Sequence, residues 1–327
     1  MLLSVAALLT GLMLLIWSAD RFVDGAAATA RHLGMPPLLV GMLVVGFGTS
    51  APELLVSVLA ALDGHPGLAL GNAWGSNIVN MGLVLAVTAL VAPLRVRSVV
   101  LRKELPMLMG TTALSAVLVW DGMLSRLDAM LLLVAFAALL AWSLRAARAH
   151  GQDALARETS AQLQADALSL PRALGRLVLN LLVLAGSSRL LVWGAADIAV
   201  WLGLSDLVIG LAVLALGTSL PELATCVAAA RKGEDDIALG NVLGSGLFNT
   251  LAVVGLAGLV APVDVEAEVL ARDLPVMAGL TVALYLMGRG RRHGDGLISR
   301  PEAGTLLAAY AAYTVWLLAT MGPGSGA

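Results

Sequence analysis

The sequence predicts an all-α polytopic membrane protein of ten transmembrane helices, built as two inverted five-helix repeats with the N-terminus and C-terminus outside. Three observations lead there. Of the 327 residues, 59% are hydrophobic and 13% charged, whereas a soluble domain carries roughly 25% charged residues; this chain lacks the polar surface to face water all round. Its apolar residues fall in runs near the roughly 20-residue length that spans a bilayer as a helix. And a long stretch of the first half returns in the second.

The runs place spans at about 3–30, 36–62, 68–92, 103–120, 126–146, 173–200, 205–231, 237–260, 270–288 and 302–321. The opening MLLSVAALLTGLMLLIW has no basic leader and no clear cleavage site, so it reads as a first span and not a signal peptide. Residues 1–146 form the first repeat, with a core at about 41–93; 147–172 form a polar cytoplasmic linker; 173–321 form the second repeat, with a core at about 210–262; and 322–327 are a tail. The acidic residues of the linker are too sparse for a calcium loop of the EF-hand type. A single cysteine, Cys226, allows no intrachain disulfide. His32, His65, His150 and His293 all fall in loops and read as solvated side chains, not metal ligands.

The net charge of −2 says little, but the placement of the charges sets an orientation. With the N-terminus outside, the inner loops hold Arg31, Arg95, Arg97, Arg102, Lys103, Arg145, Arg148, Arg157, Arg172, Arg176, Arg231, Lys232, Arg289, Arg291, Arg292 and Arg300, and the outer loops only Arg126 and Arg272. An excess of Lys and Arg marks the cytoplasmic side.

From Gly41 to Pro93 the chain aligns without a gap to residues 169 further on, identical at about 24 of 53 positions. The register continues from Lys103 (KELP) to Arg272 (RDLP). Five spans per half is an odd number, so the second half enters the membrane from the opposite side. Inverted repeats of this kind belong to secondary transporters, whose site lies at mid-membrane between the halves.

The repeated phrase is GTSAPE from Gly48 and GTSLPE from Gly217. Pro52 and Pro221 lack an N–H, so the helix should break near Gly48–Thr49 and Gly217–Thr218. Carbonyls freed in hydrocarbon must be paired or line a cavity. Glu53 and Glu222 follow at once. Ser50, Glu53 and Ser57 share a helix face, as do Ser219, Glu222 and Cys226. In the next span Asn72, Ser76 and Asn80 form a second stripe, repeated by Asn241, Ser245 and Asn249. The pairs Gly71 with Gly75 and Gly240 with Gly244 allow close helix packing. Two ionised carboxylates neutralise one divalent ion, and carboxylate, carbonyl and hydroxyl oxygens suit Ca2+, Na+ and Mg2+. No Lys or Arg lies at that depth in these spans, so the counter-charge is a cation or a proton. Cys226 reads as a small residue beside the site, and Asp20, Arg21, Asp24, Arg189 and Asp197 as residues outside it.

At these residues the chain resembles the cation/Ca2+ exchanger superfamily, specifically the prokaryotic sodium/calcium exchangers. The resemblance rests on GTSAPE with GNAWGSNIVN and on GTSLPE with GNVLGSGLFN, and covers nearly the whole chain. It implies ten helices and alternating exchange of Na+ for Ca2+ in a bacterial or archaeal inner membrane. It implies that Glu53 and Glu222 bind Ca2+ with the carbonyls of Thr49 and Thr218. The Na+ sites would add Ser50, Ser76, Ser219, Ser245 and the carbonyls of Gly46 and Ala215, with Asn80 and Asn249 lining the centre. The family often has Ala at the place of Gly46 and Asn at that of Gly246. Asn at both 80 and 249 argues against K+ dependence.

The expectation is therefore an antiporter, not an enzyme, with no cofactor; its partners are Ca2+, Na+ and the lipid bilayer, not nucleic acid, and a monomer suffices. The rival is an H+/Ca2+ or other divalent-cation antiporter on the same site. The serines favour Na+, because a proton needs no oxygen cage. A cation channel or a non-transporting membrane protein fits an inverted duplication less well.

Overall fold

The structure, a computed structural model, describes residues 2–33, 35–64, 66–97, 100–150, 169–201, 215–289 and 296–320. Most of the expected linker (151–168), the start of the expected seventh span (202–214), Gly34, His65, His293 and the tail 322–327 lie outside the described residues.

The first half runs α1 (Leu2–Leu33), α2 (Pro37–Thr49), α3 (Ala51–Leu62), α4 (Pro66–Val91), α5 (Leu105–Leu118) and α6 (Arg126–His150). The second runs α7 (Leu170–Trp201), α8 (Ala215–Thr218), α9 (Leu220–Arg231), α10 (Asp235–Val260), α11 (Val269–Gly288) and α12 (Arg300–Thr320). Six of these helices are long and apolar enough to cross a membrane, and seven if α2 and α3 count as one bent span. The chain is thus an all-helical, multi-pass membrane protein.

The expected 36–62 span is two helices meeting at 44°. The turn falls on Ser50 (φ −83°, ψ 5°), one residue after Thr49. Pro52 removes the N–H that would serve the Gly48 carbonyl, so the ladder lapses there and restarts with the proline in the first turn of α3. Ser219 repeats the turn at φ −88°, ψ 6°.

Element boundaries recur 169 residues on. Ala51–Leu62 returns as Leu220–Arg231, the π turn Asn80–Val84 as Asn249–Val253, Leu85–Val91 as Val254–Val260, and the π turn Val100–Glu104 as Val269–Asp273. Even the turn glycines match, Gly64 at φ 82° and Gly233 at φ 74°, a left-handed conformation that a Cβ disfavours.

The contacts also give the direction of each helix. Asn72 meets both Glu53 and Ser57, and Ser57 meets Ala69, so α3 and α4 are antiparallel. Gly41 lies against Gly240 and Gly46 against Ser245, so α2 and α10 run parallel. Hence α4 and α10, equivalent by sequence, run in opposite senses. The same holds for α1 and α7, where Gly11 abuts Leu191 and Gly25 abuts Leu177.

These directions build a centre and a periphery. Within their most apolar stretch, α4 and α10 bury 72% and 89% of residues, against 33% in α1 and α7. Exposed Leu9, Met13, Ile16, Val178, Leu179 and Leu182 line the outer pair, a face fit for hydrocarbon. The central pair carries the asparagine stripes.

Short ribbons tie the halves together at their ends. β1 (Leu94–Val96) pairs antiparallel with β4 (Gly296–Ile298), and β2 (Met123–Leu124) with β3 (Val263–Asp264). On the β1 side, Arg97 bonds Asp236 at 2.8 Å and Lys232 bonds Asp24 at 2.7 Å. Asp20 lies 3.8 Å from Lys232, Arg21 stacks over Trp17, and Asp197 accepts from Ser4, so these charges stand apart from the central stripes. Lys232 is partly exposed, and such pairs contribute at most about 1 kcal/mol. Lys232→Met is therefore expected to move the thermal midpoint of purified protein by no more than a few degrees; a large loss would assign this clip a greater role.

Candidate ion-binding site

The proline-directed breaks bring the two repeated phrases face to face. Glu53, in the first turn of α3, and Glu222, in the first turn of α9, are both fully buried and close enough for their charges to interact. Each is served by the other half's break. Ser50 Oγ donates to Glu222 Oε1 at 3.1 Å, Thr49 is a further polar neighbour of Glu222, and Thr218 is the polar neighbour of Glu53.

Both carboxylates are held by the same brace. Asn72 Nδ2 donates to the Glu53 carbonyl (3.1 Å) and to Ser57 Oγ (3.0 Å). Asn241 Nδ2 donates to the Glu222 carbonyl (3.3 Å) and to Cys226 Sγ (3.2 Å). Ser57 and Cys226 then reach the carbonyls of Ala69 (3.3 Å) and Ala238 (3.5 Å). These four side chains lock each carboxylate-bearing turn to its neighbouring helix. Cys226 is part of that brace, beside the carboxylate.

Further bonds cross between the halves. Thr49 Oγ1 meets Asn241 Oδ1 at 3.0 Å, and Ser245 Oγ donates to the Gly46 carbonyl at 3.2 Å. Gly46 sits in a π turn, Gly41–Gly46, where the i→i−4 ladder is interrupted. A Cβ there would lie 2.9 Å from the Asn241 carbonyl oxygen and from the Ser245 nitrogen, so this interface requires glycine.

Apart from the Thr218 and Thr49 side chains beside Glu53 and Glu222, a central set of oxygens is buried without a hydrogen-bond partner: both of Glu53, Oε2 of Glu222, Oγ of Ser219, Oδ1 of Asn80 and Oδ1 of Asn249; Glu104 Oε2, Thr112 Oγ1, Ser115 Oγ, Asn180 Oδ1 and Thr225 Oγ1 are unpaired as well. Buried polar atoms are paired in the great majority of cases, and an unpaired buried carboxylate is costly. No ion pair among the described residues involves Glu53 or Glu222. The set consists of hard oxygens with two carboxylates, which suits Na+ or Ca2+.

Each expected residue has a place. Glu53, Glu222, Ser50, Ser219, Thr49, Thr218, Gly46, Ser245, Asn80 and Asn249 lie on the breaks and on the central helices. Ser76 is buried on α4. Ala215 opens α8, one turn before Ser219.

Sequence reasoning passed over three residues. Ser188, on α7, donates to the Gly217 carbonyl at 2.7 Å, the carbonyl that Pro221 leaves without a helical partner. Asn77 and Thr250 bond each other at 2.8 Å beside Asn249. Comparing the halves could not find Asn77, because its counterpart is Gly246. The available signal was an amide in an otherwise apolar run.

Known proteins resemble this chain in sequence and fold. The family described as sodium/calcium exchanger protein matches over residues 3–145 and 172–319. A putative antiporter, CaxA, of Alkalimonas amylolytica is 43% identical over 98% of this chain and 100% of its own. The inner membrane protein YrbG of Escherichia coli is 41% identical over 97% of this chain and 96% of its own. The solved structure of the sodium-calcium exchanger NCX_Mj, soaked with 2.5 mM Na+ and 0.1 mM Ca2+, superposes with a TM-score of 0.83 at 31% identity, covering 97% of this chain and 99% of that one.

Proposed function

The chain belongs to the sodium/calcium exchanger family, and from that premise we propose that it is a secondary active antiporter exchanging Na+ for Ca2+ across a prokaryotic inner membrane. The observation that carries this reading is the pair of fully buried carboxylates, one from each half, with oxygens left unpaired. Ca2+ takes Glu53 and Glu222 with the carbonyls of Thr49 and Thr218. Na+ ions take the same glutamates with Ser50, Ser76, Ser219, Ser245, the carbonyls of Gly46 and Ala215, and the centre lined by Asn80 and Asn249. Each occupant cancels the buried negative charge. The empty, charged site resists transit, and this is what enforces exchange over leak.

Ten spans with both termini outside complete the proposal. α5, α9 with the short α8 before it, and α12 are the further spans. The end contacts support the threading: β1 with β4 and Arg97 with Asp236 join loops that ten spans put on one side, and β2 with β3 joins loops that they put on the other. α1 and α7 pack along each other at the periphery and are the pair that slides past the central helices. A monomer is sufficient on this reading, because one chain carries both carboxylates.

Na+ coupling is favoured over H+ coupling by the unpaired neutral oxygens of Ser219 and Asn249, which a proton on a carboxylate does not need. The test is uptake of radioactive Ca2+ into proteoliposomes. Na+-loaded vesicles diluted into Na+-free buffer should accumulate Ca2+, and K+-loaded vesicles should not. Uptake driven by a pH gradient without Na+ would move the assignment to H+ exchange.

A further inference from the structure

Asn77 stands where internal symmetry fails. Its counterpart in the second half is Gly246, which has no side chain. The Asn77 amide nitrogen donates to Thr250 Oγ1 at 2.8 Å and faces the Gly246 carbonyl at 3.4 Å. A backbone carbonyl only accepts, so this contact sets which way round the Asn77 amide lies. Its Oδ1 then faces Asn249, whose Nδ2 donates to it at 3.2 Å. The orientation of Asn249 follows: its nitrogen is held by Asn77, and its Oδ1 is left buried without a partner.

Asn80, the counterpart of Asn249, has no such support. The residue that would orient it belongs at 246. The three atoms nearest a Cβ there are Leu108 Cδ1 and Cδ2, at 3.1 and 3.6 Å, and Met81 Cε, at 3.9 Å. Both the nitrogen and the oxygen of Asn80 are buried and unpaired. We infer that Asn77 is a positioning residue that holds Asn249 with its oxygen, not its NH2 group, available to a cation, so that the two central asparagines are not equivalent. Asn249 is a preset oxygen ligand, and the amide of Asn80 follows the occupant. A preset oxygen needs no reorientation when the ion arrives, whereas a reversed amide presents its positive end to the cation. This inference rests on the exchange reading.

The test is equilibrium binding of radioactive Ca2+ to the purified full chain, with Na+ as competitor. Asn77→Ala is expected to weaken Ca2+ binding about tenfold, as for residues that orient a metal ligand. The same change made together with Asn249→Asp is expected to cost nothing further, because a carboxylate presents an oxygen whichever way it turns. Asn77→Asp keeps the acceptor for Asn249 but loses the NH2 group that faces Thr250 and the Gly246 carbonyl, so it should recover part of the Ca2+ binding lost in Asn77→Ala; this variant also serves if Asn77→Ala does not fold. An equal loss from Asn77→Ala with and without Asn249→Asp would overturn the inference, and so would a loss in Asn77→Asp that Asn249→Asp does not relieve. An unaltered chain that binds no Ca2+ would instead remove the exchange reading itself.

Discussion

Glu53→Gln and Glu222→Gln are each expected to lower Na+-driven Ca2+ uptake by about a hundred- to a thousandfold. Removing one partner of a buried charge pair costs roughly 3–5 kcal/mol, and each ~1.4 kcal/mol is a factor of ten. Here the partner is the transported ion. A single remaining carboxylate cannot neutralise a divalent cation, and the described residues offer no second charge. The fold should not suffer. Gln keeps the shape of the buried carboxyl and removes a buried negative charge that no Lys or Arg among the described residues pairs, so the neutral isostere should leave the thermal midpoint unchanged or raise it. Ca2+ stabilises the unaltered protein by mass action, and that added stability should vanish in both variants. Full uptake by either variant would show that the carboxylates are not the ion's ligands.

The second large effect is expected at the contact of α2 with α10. A Cβ on Gly41 would lie 2.8 Å from the Ile237 carbonyl oxygen and 3.0 Å from Gly240 Cα, and one on Gly240 would lie 2.9 Å from Gly41 Cα. These neighbours are backbone, which cannot turn aside as a side chain can. Gly41→Ala and Gly240→Ala should each destabilise by about 1–3 kcal/mol, the usual range for overpacking. Together they should cost less than their sum, since both widen one interface. Gly110, exposed in the middle of α5 with no described atom within 4 Å of an added Cβ, is the control: Gly110→Ala should stabilise slightly. Thermal unfolding of the purified variants reads all four. The same widening separates Ser245 from the Gly46 carbonyl, so exchange should fall in the first two variants and hold in Gly110→Ala.

Much of the site was legible because the repeat marks it. Glu53 with Glu222, Ser50 with Ser219 and Asn80 with Asn249 each occur at the same offset. Such pairs stand out even in a greasy chain, where periodicity distinguishes little. The breaks were legible too, because proline removes an N–H wherever it stands in a helix. What comparing the halves concealed was whatever the halves do not share. Asn77 stands opposite Gly246, so the repeat does not mark it, yet it holds the Asn249 amide. Ser188 lies outside the repeated phrases, yet it satisfies the Gly217 carbonyl from another helix.

By itself the sequence determined that the chain lives in a membrane, that it is built twice, and that two carboxylates lie in its apolar interior. These properties depend on composition, helix period and local backbone chemistry, which neighbouring residues set. Only the tertiary structure decided which half serves which carboxylate. Ser50 reaches Glu222, and Thr49 reaches Asn241, because antiparallel packing of the halves carries each break across the centre. It also decided that Ser57, Cys226, Asn72 and Asn241 brace the site, and that the two central asparagines differ. A side chain's partner depends on what the opposite helix places within about 3 Å, and sequence spacing within one helix does not contain that distance.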